Sequence, residues 1–203
     1  MKIGLFGGTF DPVHTGHLIL AEHCREAATL DEVWFVPSYA PPHKTDRTVT
    51  RYETRCEMVA LAIVGQPLFR LETVEKELPA PSFTLRTAQE LRNRHPEHEF
   101  AWIVGGDTLP ELRTWYEPQA LLSLVSLIAV PRPGSEPMTS DALAASLGMT
   151  PDEVRLQSVP CPLIEIAGRD LRRSVAEGRS IRWQVPRAVE ELIREKKLYR
   201  EVR

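Results

Sequence analysis

Eleven consecutive residues near the start of the chain, Gly7-Gly8-Thr9-Phe10-Asp11-Pro12-Val13-His14-Thr15-Gly16-His17, carry its densest chemistry. Gly7 and Gly8 allow positive φ and let the backbone approach a ligand closely. His14 and His17 stand three residues apart, a spacing that lets both imidazoles face one pocket across the first turn of a helix. Gly16 keeps the floor between them open. A helix beginning there aims its first N–H groups and its positive dipole end at the same space. The product is a compact anion site with two additional ring donors. It is neither a P-loop, which needs G-x-x-x-x-G-K-[ST], nor the G-x-G-x-x-G dinucleotide fingerprint. A plain strand-to-helix turn with two surface histidines would account for either histidine alone, but not for the double glycine and the H-x-G-H together.

Such a turn needs a strand before it and a helix behind it. Lys2–Phe6 reads as a short strand, and a helical pattern starts near Gly16 and runs through Leu18, Leu20, Ala21 and Cys24 to about Ala28. Val33–Val36 predicts a second strand, followed by the proline-rich loop Pro37-Ser38-Tyr39-Ala40-Pro41-Pro42-His43-Lys44, which cannot be helix interior. Thr50 is placed to cap a helix from about Arg51 to Val64, on which Arg51 and Arg55 read as a solvated or salt-bridged face. Phe69–Val74 predicts a strand and Thr84–Arg94 a helix. Phe100–Val104 predicts a strand ending in Gly105-Gly106-Asp107, and Leu124–Val130 one ending in Pro131-Arg132-Pro133-Gly134. Ser135–Asp152 reads as an added helix or excursion, Val154–Val159 as a last strand, and Arg169–Ala176 and Pro186–Arg194 as closing helices. This alternation predicts an α/β fold, Rossmann-like and doubly wound, with a mostly parallel sheet covered by helices on both faces, in one domain over residues 1–203. Ligands of such sheets sit at the carboxyl ends of the strands, near the switch in strand order. Four loops of unusual composition therefore converge on one rim.

The bulk numbers narrow the classes. A chain of 203 residues with 42 % hydrophobic and 26 % charged residues is ordinary for a globular protein with a sizeable core. Its net charge of −3 argues against broad phosphate neutralisation, hence against a nucleic-acid binder. No stretch approaches the roughly 18 apolar residues of a membrane span, and the N-terminus lacks the apolar segment of a signal peptide, so a cytoplasmic protein is expected. Cys24, Cys56 and Cys161 form no C-x-x-C pair and read as small apolar residues rather than as disulfide or zinc ligands.

The run G-G-T-F-D-P-V-H-x-G-H resembles the signature of the H-x-G-H nucleotidyltransferase superfamily. Later segments are similar to one branch, the bacterial-type nicotinate-nucleotide adenylyltransferases: Ala40-Pro41-Pro42-His43-Lys44, Arg55 with Met58, Ser82-Phe83-Thr84, Ile103-Val104-Gly105-Gly106-Asp107, Leu112 with Trp115-Tyr116, and Arg132-Pro133-Gly134. The similarity covers nearly the whole chain. It implies adenylyl transfer from ATP to nicotinate mononucleotide in NAD synthesis. It further implies that His14 and His17 contact the ATP phosphates, with Lys44 and Arg172 near the phosphates and Gly7, Gly8, Thr9, Phe10 and Gly16 along the nucleotide. Gly105 and Asp107 would hold a nucleotide ribose. Trp115 would stack on the pyridine ring, the backbone N–H groups of Thr84 and Tyr116 would hold the nicotinate carboxylate, and Arg132 would sit near the substrate phosphate. The C-terminal helices from about residue 168 would close the phosphate side.

Two departures stand out. The family's Ile-Ser-Ser-Thr run, followed two residues later by arginine, appears here as Ile166-Ala167-Gly168-Arg169-Asp170-Leu171-Arg172. The hydroxyls are lost, Arg172 is kept, and the Gly168 and Arg169 end of the helix is left to bind the anion through backbone N–H groups and a new cation. Phe83 replaces the usual tyrosine beside Thr84.

The reaction implied needs no side-chain nucleophile, because a phosphate monoester with a second pKa near ~6 is already mostly dianionic at neutral pH. Positioning and electrostatic stabilisation are the usual means in such chemistry. Magnesium is expected as the ATP complex, with no protein metal cage; Asp11 and Asp107 are the carboxylates that could reach it through water. Two rival functions share the scaffold: another adenylyl- or cytidylyltransferase, such as one acting on phosphopantetheine, and a nucleotide-binding sensor without turnover. Homo-oligomer formation is left open.

Overall fold

Strand β1 (Lys2–Gly8) is apolar on both sides, with Ile3 and Leu5 turned to one layer of the core and Phe6 to the other. A strand of that pattern must be covered twice, and the sheet supplies the cover. In the computed structural model, which describes residues 1–41, 49–131, 138–162 and 164–200, β1 is flanked by β2 (Glu32–Pro37) and β4 (Glu99–Gly105). Beyond β2 lies β3 (Phe69–Leu71), and beyond β4 lie β5 (Ser126–Val130) and β6 (Leu156–Ser158). All pairings are parallel and the order is β3-β2-β1-β4-β5-β6, the doubly wound arrangement whose switch point falls between β1 and β4.

Alternation along each strand sorts the side chains into two layers. Trp34, Val36, Phe100, Trp102, Leu127 and Ala129 join Ile3 and Leu5 under α3 (Thr84–Arg94), α4 (Pro118–Leu124), α5 (Ser140–Leu147) and the 3-10 segment Gly106–Thr114. Val33, Phe35, Ala101, Ile103, Ile128 and Val130 join Phe6 under α1 (Thr15–Ala27), α2 (Tyr52–Ala62), α6 (Gly168–Ala176) and α7 (Arg187–Glu195). Among the described residues no helix is long and apolar enough to cross a membrane.

Several expected boundaries move for local reasons. The strand expected over Phe69–Val74 stops at Leu71, because the Glu72 carboxylate accepts from the Val74 N–H at 2.9 Å and turns the chain into a 3-10 turn, Val74–Glu77. The strand expected from Leu124 begins at Ser126, because Leu124 closes helix α4, whose first turn holds Pro118 after left-handed Glu117 (φ 46°). Thr50 is not the cap of α2: that position falls to Arg51, while the Thr50 N–H reaches the Asp11 carboxylate and its carbonyl accepts from Arg55.

Candidate active site

The turn after β1 is built differently from the sequence expectation. Neither Gly7 nor Gly8 has positive φ; both lie in the strand, and the left-handed residue is Phe10 (φ 50°). Glycine is required there for space. A Cβ on Gly7 would fall 2.8 Å from the Trp102 ring, and one on Gly8 would fall 2.9 Å from the Phe10 ring. The Phe10 ring is buried and packs edge-on to Phe6 and His17, so a nucleotide could meet only its backbone.

His14 is the N-cap of α1 and His17 the third residue of the helix. The His17 Nδ1 accepts the His14 backbone N–H at 3.1 Å, and the two rings stack with centroids 3.6 Å apart. A neutral imidazole whose Nδ1 accepts must carry its proton on Nε2. His17 is thereby set as a donor, held by Phe6 and Phe10 at 5.8 and 5.1 Å between centroids. Behind the turn, the Thr15 N–H is taken by the Gln184 carbonyl, which ties the start of α1 to the chain before α7.

The altered run before α6 lies directly against this turn. A Cβ on Gly168 would approach the Asp11 carbonyl oxygen to 3.0 Å, and one on Gly16 would approach Ile164 to 3.3 Å. Arg172 Nη1 donates to the same Asp11 carbonyl at 2.6 Å. Gly168 thus lets the start of α6 reach the backbone of the H-x-G-H turn. Arg169 extends into solvent, 77 % exposed, with Asp170 3.7 Å away.

Asp11 is not available to a metal ion. It is 7 % exposed, and its carboxylate takes the Tyr199 hydroxyl at 2.7 Å and the Thr50 N–H at 3.3 Å, with Arg172 Nη1 at 4.0 Å. Burial first, and then the nearby Asp11 charge, push the Tyr199 phenol far above its ordinary range, so it remains the donor. Asp107 is exposed in the first turn of the 3-10 segment that follows Gly105 at the end of β4.

Arg55 corrects a second expectation. It is no solvated helix face but a fully buried cation, 2 % exposed. Its guanidinium donates to the carbonyls of Thr50 at 2.8 Å, Thr9 at 2.7 Å and Ser38 at 2.7 Å. One side chain therefore joins the loops after β1 and β2 to the start of α2. The Ser38 side of that tie continues to α3: the Tyr39 N–H reaches Glu75, Glu75 accepts from Thr87, and Ala40 and Ser82 exchange two bonds.

At the start of α3, Phe83 stacks on exposed Tyr116 with centroids 4.6 Å apart, and Arg86 lies over both rings. Thr84 opens the helix, so its N–H belongs to the first-turn donors without an intrahelical acceptor. Trp115 is half-buried, with part of its ring packed on the core layer beneath. The structure thus brings His14, Gly16, His17, Gly168 and Arg172 into one cluster, and gathers Thr84 and Tyr116 into another that Arg55 and the 38–40 segment connect to it. Lys44, His43 and Arg132 lie outside the described residues. Glu75 and Tyr199 carry no motif of their own; Asp11 lies within the glycine-rich run and Arg55 in a family segment with Met58, but neither pattern discloses that the side chain is buried.

A parallel sheet of this order, with an H-x-G-H turn and a helix N-terminus at its switch point, defines a nucleotidyltransferase-like α/β scaffold. Residues 5–201 match the model of the cytidylyltransferase-like family. The chain is 42 % identical over 199 residues to a probable nicotinate-nucleotide adenylyltransferase of Exiguobacterium sibiricum, covering 98 % of this chain and 99 % of that one. It is 43 % identical over 201 residues to one from Thermomicrobium roseum, covering 99 % and 92 %. The chain belongs to the nicotinate-nucleotide adenylyltransferase family. Its fold is also that of a Plasmodium falciparum nicotinic acid mononucleotide adenylyltransferase complexed with NaAD, with a TM-score of 0.78 at 17 % identity over 98 % of this chain and 97 % of that one.

Proposed function

We propose that this protein transfers the adenylyl group of ATP to nicotinate mononucleotide, giving nicotinate adenine dinucleotide and pyrophosphate in the cytoplasm. The observation that carries the reading is the H-x-G-H turn, where a backbone bond commits His17 to donating from Nε2 at a helix N-terminus on the sheet's switch point. Mg²⁺ enters with ATP as part of the substrate.

A phosphate oxygen of the mononucleotide attacks the α-phosphorus, the bond from that phosphorus to the bridging oxygen breaks, and pyrophosphate leaves. No proton need be removed from the nucleophile. The work left to the protein is to hold two anions in line and to meet charge growing on the leaving group. His17, the first turn of α1, His14 and Arg172 supply donors on the ATP side, with Lys44 as a further cation. Gly105 and Asp107 face the ribose. The N-terminus of α3 at Thr84 suits a carboxylate, which favours the nicotinate over the nicotinamide form, with Trp115 and Tyr116 beside the ring and Arg132 near the substrate phosphate. The C-terminal segment from α6 onward is assigned to close the phosphate side, supported by Arg172 on the Asp11 carbonyl and by Tyr199, beyond α7, on the Asp11 carboxylate.

The mechanism is tested with ATP made chiral at the α-phosphorus by sulfur substitution. Direct in-line transfer predicts inversion in the dinucleotide product. Retention would require a covalent adenylyl-enzyme and would overturn the single-step account. Phosphopantetheine, offered in place of the mononucleotide, should give no product.

A further inference from the structure

At the opposite end of the sheet from the nucleotide rim, α3 gives way to β4 through His95-Pro96-Glu97-His98. This turn is held firmly. The His95 N–H is taken by Leu91 at 2.9 Å, the His98 N–H by His95 at 3.1 Å, and the His98 carbonyl accepts Arg92 Nη1 at 2.8 Å. The two imidazoles lie parallel, 5° apart in plane with centroids 5.3 Å apart, and both meet the Trp34 ring edge-on, at 5.1 and 6.0 Å. Phe100 backs His98 at 6.2 Å. Two imidazoles wedged against an aromatic wall have little freedom left to lose on binding.

Their donor atoms converge with a carboxylate. Glu97 Oε1 lies 3.2 Å from His98 Nδ1 and 4.0 Å from His95 Nδ1, and one donor atom from each of the three residues lies within 4.8 Å of the other two. Metal–ligand bonds of roughly 2.0–2.2 Å in a tetrahedron place neighbouring ligands about 3.4 Å apart, which the Glu97–His98 pair already matches at 3.2 Å and the Glu97–His95 pair exceeds at 4.0 Å. His98 Nδ1 is closed to solvent and makes no hydrogen bond. A buried ring nitrogen without a hydrogen-bond partner, freed of any proton, is a position that a metal ion satisfies. The cluster also follows the last turn of α3, whose carbonyl end favours a cation. The two cations of that turn are both engaged, Arg92 by the His98 carbonyl and Arg94 by Glu77 and Glu90.

We infer that His95, Glu97 and His98 form a binding site for a divalent transition-metal ion of the zinc type, separate from the nucleotide site. Two imidazoles and one carboxylate are a borderline-soft donor set suited to Zn²⁺, with water in the fourth position. Its distance in the fold from the H-x-G-H turn makes it a structural clamp on the α3–β4 corner, not a participant in adenylyl transfer.

The test is a calorimetric titration of the purified, chelator-stripped protein with Zn²⁺ in buffer free of ATP, alongside His95→Gln, His98→Gln and Glu97→Gln. One ion should bind per chain, each histidine variant should weaken binding at least tenfold, and Zn²⁺ should raise the melting temperature of the wild type but not of the double histidine variant. Co²⁺ in place of Zn²⁺ should give the visible absorption of a four-coordinate N/O site, lost in the same variants. Glu97 is exposed, so Glu97→Gln tests the site without threatening the fold. Pyrophosphate release without added Zn²⁺ should be the same in all four proteins. Absence of zinc binding in the wild type, or undiminished binding in the double variant, would overturn the assignment.

Discussion

His17 and Trp115 divide the labour of the site between charge and shape, and that division is measurable. Loss of a donor aimed at developing charge typically costs ~10²–10³ in turnover. His17→Ala should therefore lower kcat by about that factor, with the KM for the mononucleotide changing less; equal effects on both would remove His17 from the phosphate side. Trp115→Ala should chiefly raise the mononucleotide KM, and an unchanged value would return Trp115 to a purely packing role. The histidines were readable in the sequence because two imidazoles at that spacing after a double glycine serve few other purposes. Asp11 and Tyr199 were not, because a carboxylate and a phenol 188 residues apart announce no pairing until the chain folds.

The elements around the turn are fastened by contacts no local pattern reveals. Arg55 binds three backbone carbonyls from two loops and its own helix start. Arg55→Ala would leave those acceptors buried and unmet, at about 3 kcal/mol or more. The expected result is a clear fall in the urea midpoint together with lost activity, since the loops after β1 and β2 lose their common anchor. Gly168 sets the approach of α6. Its replacement by alanine places a Cβ 3.0 Å from a carbonyl that Arg172 already holds, so the variant should be less stable by about 1–3 kcal/mol, as other overpacked sites are, despite alanine's better helix propensity. A stabilised Gly168→Ala would mean that α6 sits more loosely on the turn than described. Element type and order were legible because buried parallel strands and amphipathic helices write strong patterns. Helix α3 runs over the expected Thr84–Arg94, whereas α4 was hidden because its seven residues, Pro118–Leu124, are too few to show a helical period.

Across the whole molecule, buried acids with raised pKa values set an alkaline limit to stability. Burial, helped by nearby Cys161, lifts the Cys24 thiol from an ordinary 9.0 to about 12. Burial also lifts the Tyr52 and Tyr199 phenols well above their ordinary 10.0. Above pH about 9 the unfolded chain releases protons that the folded chain retains, so stability is full below that pH and falls as pH rises. Between pH 8 and 10.5 the loss should be roughly 2–4 kcal/mol, read from urea unfolding at the two pH values. A flat profile would mean that these groups are more open to water than the fold makes them. The doubly wound order itself was implied by βαβ spacing and a glycine-rich first turn. The position of the switch between β1 and β4 was not, because strand order depends on which helices cross which face.

The most direct test of the central claim is pyrophosphate release by the purified protein with Mg-ATP and either nicotinate or nicotinamide mononucleotide. Release should be rapid with the nicotinate form and slight with the nicotinamide form, which would also establish that an α6 start without hydroxyls supports turnover. A folded, ATP-binding protein that releases pyrophosphate with neither substrate would contradict that claim, leaving the nucleotide-binding scaffold and removing the reaction.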